Sequence, residues 1–288
     1  MQGPTSAICI GAIRVVTRRH GSRVRTPLQT LIISGAGPDL GRADMNVLIQ
    51  GAGRGIGLAL AQQARAAGAS RLFLTARDPQ SATGYDLLPP AEDVMWLPLD
   101  VTQPESIAAA GAKITAATDR LDRVIFTAGM LQDGGIRPEK RISDIDADAL
   151  TRVFQTNALA PVLMAREIWP LLRGTHPLHY AALSARVGSI SDNQLGGWYA
   201  YRASKAALNQ LMRTLSIELA RANPAACVAS LHPGTVDTNL SRPFQANVPE
   251  QKLFSASYSA SCLWQVLDGL DAQMTGGFFA YDGSPIPF

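Results

Sequence analysis

The feature that most restricts the fold is a glycine-rich segment between a short apolar strand and an amphipathic helix. Residues 47–49 are apolar, residues 51–57 read GAGRGIG, and a helical pattern follows from about residue 58 to residue 67. Glycines at such a junction allow a sharp turn, a close approach of backbone amides to a phosphate, and tight packing of helix on strand. The helix N-terminus adds a partial positive charge that attracts anions. The segment predicts a dinucleotide-binding loop made of Gly51, Gly53, Arg54, Gly55, Ile56 and Gly57.

Strand and helix patterns continue to alternate after this loop. Apolar segments predict strands at residues 71–75, 94–99, 123–126, 178–184 and 226–231, with a last edge strand at residues 278–281. Helices are predicted at residues 104–117, around Asn157 and at residues 199–221. Strands this apolar belong in a parallel sheet that helices cover. We expect one α/β domain over residues 46–288, with a single doubly wound Rossmann-type parallel sheet, helices on both faces, and cofactor and substrate sites together.

Residues 1–45 differ from the rest of the chain in composition. They contain six arginines and only two acidic residues, Asp39 and Asp44, for a net charge of +4, whereas the remaining 243 residues carry −1. An arginine-rich, acid-poor segment is compatible with a transit peptide. The favoured alternative is a disordered or non-native extension, because a well-formed first strand begins directly after Met45.

Charge and composition argue against several classes of protein. A nearly neutral body predicts no nucleic-acid partner, and no apolar run reaches the roughly 18 residues of a membrane-spanning helix. Cys9, Cys227 and Cys262 lack the spacing of a metal or redox site, which predicts a reduced, cytoplasmic protein. The four histidines are scattered without acidic partners, so we expect structural or surface roles for them and no metal centre.

The end of the second predicted strand indicates which dinucleotide binds. NAD enzymes place a carboxylate about 20 residues beyond the glycine loop, where it accepts a hydrogen bond from the ribose 2′-hydroxyl. Here the strand runs into Arg77, and a guanidinium binds a 2′-phosphate in bidentate fashion. Arg54 is a second candidate partner of that phosphate. NADP(H) is therefore favoured over NAD(H), although a surface role for Arg77, with Asp78 beside it, leaves NAD(H) as the alternative.

Tyr201 and Lys205 form a candidate proton-transfer pair. Lys205 follows Tyr201 by four positions in a predicted helix, so they lie one turn apart on one face. A phenol with an ordinary pKa of about 10 is a poor acid–base catalyst at neutral pH. A neighbouring ammonium and the positive charge of a nicotinamide are expected to lower the pKa of Tyr201.

Taken in order, these motifs resemble the short-chain dehydrogenases/reductases over essentially all of residues 46–288. Further motifs of that family are matched by Asp100-Val101, Thr127-Ala128-Gly129, Asn157, and Pro233-Gly234 with Val236 and Thr238. Residues 196–209 are more similar still to the C-factor-like and sniffer-like carbonyl reductases. The resemblance implies that Asn157 supports a proton-relay water. It also implies that the cofactor contacts Asp100, Val101, Ala128, Gly129, Tyr201, Lys205, Pro233, Gly234, Val236 and Thr238.

The chain departs from the family pattern at two places of consequence. Gln50 replaces the usual threonine before the first glycine, which predicts a looser glycine turn. The family's catalytic serine lies three residues before a glycine, and counting back from Gly188 gives Ala185. Ser184 is one residue earlier, so it points away from the substrate if the strand continues and turns inward if the strand ends there. Ser184 is kept as the catalytic candidate, with Ser189 as a less favoured substitute and a purely structural hydroxyl as the alternative.

The motifs together predict an NADP(H)-dependent oxidoreductase that interconverts a carbonyl and an alcohol on a small molecule by hydride transfer. Tyr201 would move the proton with help from Lys205, Asn157 and Ser184. The alternative is a non-catalytic NADP-binding sensor or signalling protein of C-factor type. Residues 241–254 are a candidate lid, and the resemblance implies a homodimer or homotetramer. Trp198 and Tyr199 are candidate pocket residues, with a packing role as the alternative.

Overall fold

The structure is a computed structural model that describes residues 44–288, so the prediction for residues 1–43 lies outside the described residues. Strands and helices alternate along this range. The elements are β1 (Asn46–Gln50), α1 (Gly55–Ala66), β2 (Arg71–Ala76), α2 (Thr83–Leu87), β3 (Val94–Pro98), α3 (Pro104–Ala117), β4 (Arg123–Phe126), α4 (Ala147–Phe154), α5 (Ala160–Glu167), α6 (Trp169–Leu172), β5 (Leu178–Leu183), α7 (Tyr199–Ala222), β6 (Ala226–His232), β7 (Thr235–Val236), β8 (Leu253–Phe254), α8 (Ala256–Gly269) and β9 (Gly277–Ala280).

The main sheet has seven parallel strands in the order β3-β2-β1-β4-β5-β6-β9. The strand order reverses between β1 and β4, and a crevice forms outside the carboxyl ends of the strands at such a reversal. The short strands β7 and β8 pair separately. The predicted doubly wound parallel sheet is confirmed, and its switch point lies where the glycine loop leaves β1.

Successive side chains along the strands of the sheet pack alternately into two apolar layers, one on each face. In β5, Ala182 packs in the layer that contains Leu208 of α7, whereas Leu183 packs in the layer that contains Leu263 of α8. Burial of each large apolar side chain contributes about 1.5–3 kcal/mol. Because both faces are covered, the strands are apolar throughout, which is why they could be recognised in the sequence.

The helices differ from the sequence expectation in two respects. The helix around Asn157 is interrupted by a π-helical turn, Gln155–Leu159, between α4 and α5. Helix α8 was not predicted, although it buries Leu263 and Trp264 and packs on α1. No helix within residues 44–288 has the length and apolarity needed to cross a membrane.

Candidate active site

The glycine loop between β1 and α1 has the geometry of a phosphate-binding turn. Gly51 and Gly55 have φ angles of 85° and 57°, which residues with a side chain rarely adopt. A Cβ atom on Gly57 would lie 2.1 Å from the Gly51 carbonyl oxygen, so no side chain fits there. Helix α1 begins within this loop, and its first N–H groups have no partner inside the helix. These features fit a dinucleotide pyrophosphate.

Gln50 ties the glycine loop to the neighbouring strand. Its buried side chain accepts a hydrogen bond through Oε1 from the Ala128 N–H at 3.0 Å. The Thr127 hydroxyl donates to the Gln50 carbonyl at 2.7 Å. The expected loosening of the turn is therefore wrong, because the longer amide side chain reaches across to the end of β4.

Arg77, Asp78 and Asp100 lie at the carboxyl ends of β2 and β3. Arg77 and Asp78 are exposed, and the Asp78 carboxylate accepts a hydrogen bond from the Ser81 hydroxyl at 2.5 Å. The backbone N–H and the hydroxyl of Thr102 donate to Asp100 and lower its pKa, and the positive charge of Arg77 lowers it further. Arg77 is thus near enough to Asp100 to act on it, while Asp78 is engaged within its own turn.

The glycine loop rests against the end of β2. A Cβ atom on Gly53 would lie 3.3 Å from the Cβ of Ala76. The residues that follow these two are Arg54 and Arg77, which are both exposed. Ile56 instead packs against the apolar layer of α1 and α8, so its side chain serves the core. Two exposed arginines therefore follow directly on the point where the glycine loop meets the end of β2.

Tyr201 and Lys205 are buried one turn apart at the start of α7. The Lys205 ammonium donates to the Leu183 carbonyl at 2.7 Å and lies 5.9 Å from the centre of the Tyr201 ring. Burial lowers the pKa of Lys205 to about 8 and raises the pKa of Tyr201 to about 12. In the protein without a dinucleotide, desolvation of the phenolate raises this pKa, and the lowering expected beside a bound nicotinamide stays a prediction. At pH 7 the phenol keeps its proton.

Asn157 joins the catalytic helix to the loop after β4. Its Oδ1 accepts from the Met130 N–H at 2.7 Å, and its Nδ2 donates to the Met130 carbonyl at 2.8 Å and to the Ser204 hydroxyl at 3.0 Å. Pro161 has no N–H and cannot make the α-helical hydrogen bond to the Asn157 carbonyl, which favours the π turn. Both amide hydrogens of Asn157 are used by the protein. Ser204 is a site residue that the sequence analysis missed.

Two of the predicted catalytic residues, Lys205 and Asn157, lie close to Gly129. A Cβ atom on Gly129 would lie 3.6 Å from Lys205 Nζ, 3.7 Å from Leu240 Cδ1 and 3.9 Å from Asn157 Oδ1. These three residues come from α7, the loop after β7 and the π turn. Position 129 is therefore the point where three separate segments meet.

Ser184 lies on the side of the sheet that carries the catalytic helix. The ladder extends one residue beyond β5, since the Ser184 N–H donates to the Leu231 carbonyl at 2.7 Å. Ala182 faces the α7 layer and Leu183 faces the opposite layer. Alternation then directs Ser184 toward the α7 layer, and Ala185 away from it. A continued strand is therefore compatible with a Ser184 role, contrary to the orientation argued from the sequence.

The Ser184 hydroxyl is buried and has no hydrogen-bond partner within residues 44–288. Ser189, the substitute candidate, instead accepts a hydrogen bond from the Asp192 N–H at 3.2 Å. His232 is the last residue of β6 and follows Leu231, the last residue of that strand in register with β5, so it lies beside Ser184. Its Nδ1 is also buried without a partner in the described residues. Burial lowers the pKa of His232 to about 4, so its ring is neutral at pH 7. A structural or surface role was expected for His232, because its nearness to Ser184 depends on strand pairing and is not visible in the sequence.

The loop after β6 reaches across to the glycine loop. Gly234, which follows Pro233, has a φ angle of 79°, and a Cβ atom there would lie 2.6 Å from an aromatic ring of β8. Val236 is buried in β7. Thr238 Cγ2 lies 3.5 Å from the position of a Cβ atom on Gly55. The segment of Pro233, Gly234, Val236 and Thr238, which is predicted to contact the cofactor, therefore meets the glycine loop at the crevice.

Trp198 and Phe244 form an aromatic wall beside Tyr201. The ring centres of Trp198 and Tyr201 are 6.2 Å apart, and those of Trp198 and Phe244 are 4.9 Å apart in an edge-to-face arrangement. Phe244 belongs to the 3₁₀ turn Arg242–Asn247, inside the candidate lid. The lid segment therefore reaches the residues around Tyr201.

Comparison with known proteins places these features in one family. The family model described as short chain dehydrogenase matches residues 45–249. The chain is 36% identical over 148 residues to the C-signal protein of Myxococcus xanthus, covering 51% of this chain and 83% of that protein. Its fold is similar to the NADPH-bound carbonyl reductase from chicken fatty liver, with a TM-score of 0.73, 26% identity, and coverage of 88% of this chain and 100% of that chain. The carbonyl reductase Sniffer of D. melanogaster gives a TM-score of 0.74 and 28% identity, covering 85% of this chain and 100% of that one.

These matches confirm the resemblance inferred from the motifs, including its C-factor-like and sniffer-like branch. The matched range contains the glycine loop, the π turn and the start of α7. Oxidoreductase relatives and a doubly wound sheet agree with that assignment. The chain belongs to the short-chain dehydrogenase/reductase family of NAD(P)-dependent oxidoreductases.

Proposed function

We propose that the protein is an NADP(H)-dependent reductase of small-molecule aldehydes or ketones, with Tyr201 as the proton donor. The observation that carries the proposal is the convergence at Gly129 of Lys205 and Asn157, next to a buried, protonated Tyr201. Two solved structures with this fold are described as carbonyl reductases. A cytoplasmic location, homo-oligomer formation and the lack of a nucleic-acid partner stay predictions from the sequence.

The bound nicotinamide would supply the hydride, and the residues of this chain would handle the proton and the geometry. Tyr201 donates its proton to the substrate oxygen. Burial lowers the pKa of Lys205 to about 8. Its ammonium lies between the Tyr201 ring and Gly129, where it would hold the cofactor ribose. The Asn157 side chain fixes α7 against the loop after β4, so the relay water would use its backbone carbonyl. Turnover of NADPH with a panel of aldehydes, ketones and quinones tests this directly.

The unpaired Ser184 hydroxyl supports a role in polarising the substrate carbonyl. We expect Ser184→Ala to lower kcat/KM by about 10–100-fold, because removal of one donor to a developing oxyanion has effects of at least this order. Steady-state kinetics with the best carbonyl substrate measures the change. Ser189→Ala is the matched control and should remain close to wild type. A normal Ser184→Ala enzyme with an impaired Ser189→Ala enzyme would move the role to Ser189.

Preference for NADP(H) is supported by the two exposed arginines at one end of the crevice and by the engagement of Asp78 with Ser81. We expect Arg77→Ala to weaken NADPH binding by about 10–100-fold, the loss typical of a charge-assisted hydrogen bond to a phosphate. NADH binding should change little. Fluorescence titration of both cofactors measures this, with the exposed Arg166→Ala as control. Equal binding of NADPH and NADH by the wild-type protein would make Arg77 a surface residue.

The second candidate function is a non-catalytic sensor or signalling protein that binds NADP. The similarity to the C-signal protein favours it. The retained set of Tyr201, Lys205 and Asn157 favours chemistry, because a protein that only binds the dinucleotide has no need of a buried proton donor. NADPH binding without turnover of any substrate in the carbonyl panel would favour the signalling function.

A further inference from the structure

Glu139 is a buried carboxylate whose position the reaction does not explain by itself. It lies in the loop after β4 with 5% of its surface exposed, and it takes part in none of the ion pairs formed within residues 44–288. Burial of a carboxylate is costly unless hydrogen bonds compensate for the lost water. The hydrogen bonds that Glu139 makes must therefore offset the loss of water around its carboxylate.

Both hydrogen bonds that Glu139 accepts within residues 44–288 come from the start of the catalytic helix. Its Oε2 accepts from the Ala200 N–H at 3.3 Å, and its backbone carbonyl accepts from the Trp198 N–H at 2.6 Å. The first N–H groups of a helix have no partner inside the helix, and Trp198 at the N-cap position offers no side-chain acceptor. Glu139 thus caps α7 from a segment about 60 residues away, with its negative charge at the positive end of the helix.

The same contacts hold an unfavourable backbone conformation. Trp198 has φ 52° and ψ 47°, in the left-handed region that residues with a side chain rarely occupy. Such conformations persist where surrounding contacts impose them, and they are frequent at functional sites. In this conformation the Trp198 ring packs against both Tyr201 and Phe244.

We propose that Glu139 is a positioning residue of the reductase site, which fixes the first turn of α7 and thereby the placement of Tyr201 and Trp198. The inference rests on the proposed function, since it assigns Glu139 to the delivery of the Tyr201 proton. Glu139 touches neither substrate nor reacting atoms in this scheme. Glu139 instead fixes how the Tyr201 phenol and the Trp198 ring are oriented toward the substrate.

Kinetics of three variants test the inference. Glu139→Ala removes the carboxylate that accepts from the Ala200 N–H and keeps the backbone carbonyl that accepts from the Trp198 N–H. We expect kcat to fall about 10–100-fold, because small misplacement of a reacting group has effects of this order. Glu139→Gln keeps an oxygen that accepts from Ala200, and should stay within about fivefold of wild type, the loss expected from the charge–dipole interaction alone. Asp144→Ala is the matched control. Asp144 caps its own turn through Lys140 and Arg141 in the same loop, and we expect normal turnover.

Amide hydrogen exchange supplies a readout that does not depend on activity. In Glu139→Ala, the peptide covering residues 199–205 should exchange faster, whereas the glycine loop and NADPH affinity should be unchanged. A normal kcat in Glu139→Ala, or a Glu139→Gln enzyme as slow as Glu139→Ala, would overturn the positioning role. An inactive wild-type protein would refute the proposed reductase function instead, and unchanged exchange at residues 199–205 would then refute the cap separately.

Discussion

Replacement of Tyr201 by phenylalanine is expected to lower kcat by about 10²–10⁴-fold, the range covered by loss of a general acid. The change removes only the hydroxyl, and the ring keeps its packing against Trp198. NADPH affinity should stay within a few-fold of wild type, because the glycine loop and the arginine end of the crevice are untouched. The measurements are single-turnover NADPH oxidation and a cofactor titration on the same protein.

Tyr199→Phe is the matched control for this experiment. Tyr199 opens the same helix but is 38% exposed, so loss of its hydroxyl should leave turnover nearly normal. Full activity in Tyr201→Phe would show that Tyr201 is not the proton donor. A large loss in both variants would point instead to a disturbed start of α7.

Gly57→Ala is expected to disable the cofactor site through the backbone. The new methyl group would lie 2.1 Å from the Gly51 carbonyl oxygen and 2.6 Å from the Thr127 hydroxyl, so the loop has to move. Overpacking of this kind costs about 1–3 kcal/mol, which corresponds to a fall in Tm of roughly 3–10 °C. NADPH affinity should fall at least about tenfold, because the pyrophosphate contacts depend on the loop geometry. Thermal unfolding with and without NADPH measures both effects.

Gly135→Ala is the control for the glycine loop. Gly135 has an ordinary φ angle, and a methyl group there meets nothing within 4 Å. Its Tm and its NADPH affinity should match those of wild type. A Gly57→Ala protein that still binds NADPH normally would show that the loop tolerates the added methyl group. It would also weaken the assignment of the glycine loop as the pyrophosphate-binding site.

The fold could be predicted from the sequence because its strands are buried on both faces. The prediction for residues 123–126 coincides with β4, and that for residues 104–117 coincides with α3. Continuous apolar runs, glycine loops and helix starts are local patterns. They can be recognised without knowing which segments pack against them. Helix α8 was missed because its apolar residues follow a long irregular segment without a distinctive motif.

The site could be predicted only where its residues carry a local motif. Tyr201 and Lys205 are one helical turn apart in any helix, but their burial, which sets the direction of both pKa shifts, is a tertiary property. The side of the sheet to which Ser184 points depends on which residues of β5 pack against α7. A strand that is apolar on both faces gives no sign in the sequence of which residues these are. Ser204 and Glu139 act through partners about 50–60 positions away in the chain, and no spacing rule connects them.

The burial of Lys205 has a consequence for the stability of the folded chain. Its pKa falls from an ordinary value of 10.5 to about 8, so between these pH values the unfolded chain binds a proton that the folded chain has released. The free energy of unfolding therefore rises with pH across that window, and below pH 8 the charged lysine disfavours the fold by roughly 3 kcal/mol. At neutral pH, Lys205 therefore carries a positive charge beside Tyr201. The same charge makes the native state less stable.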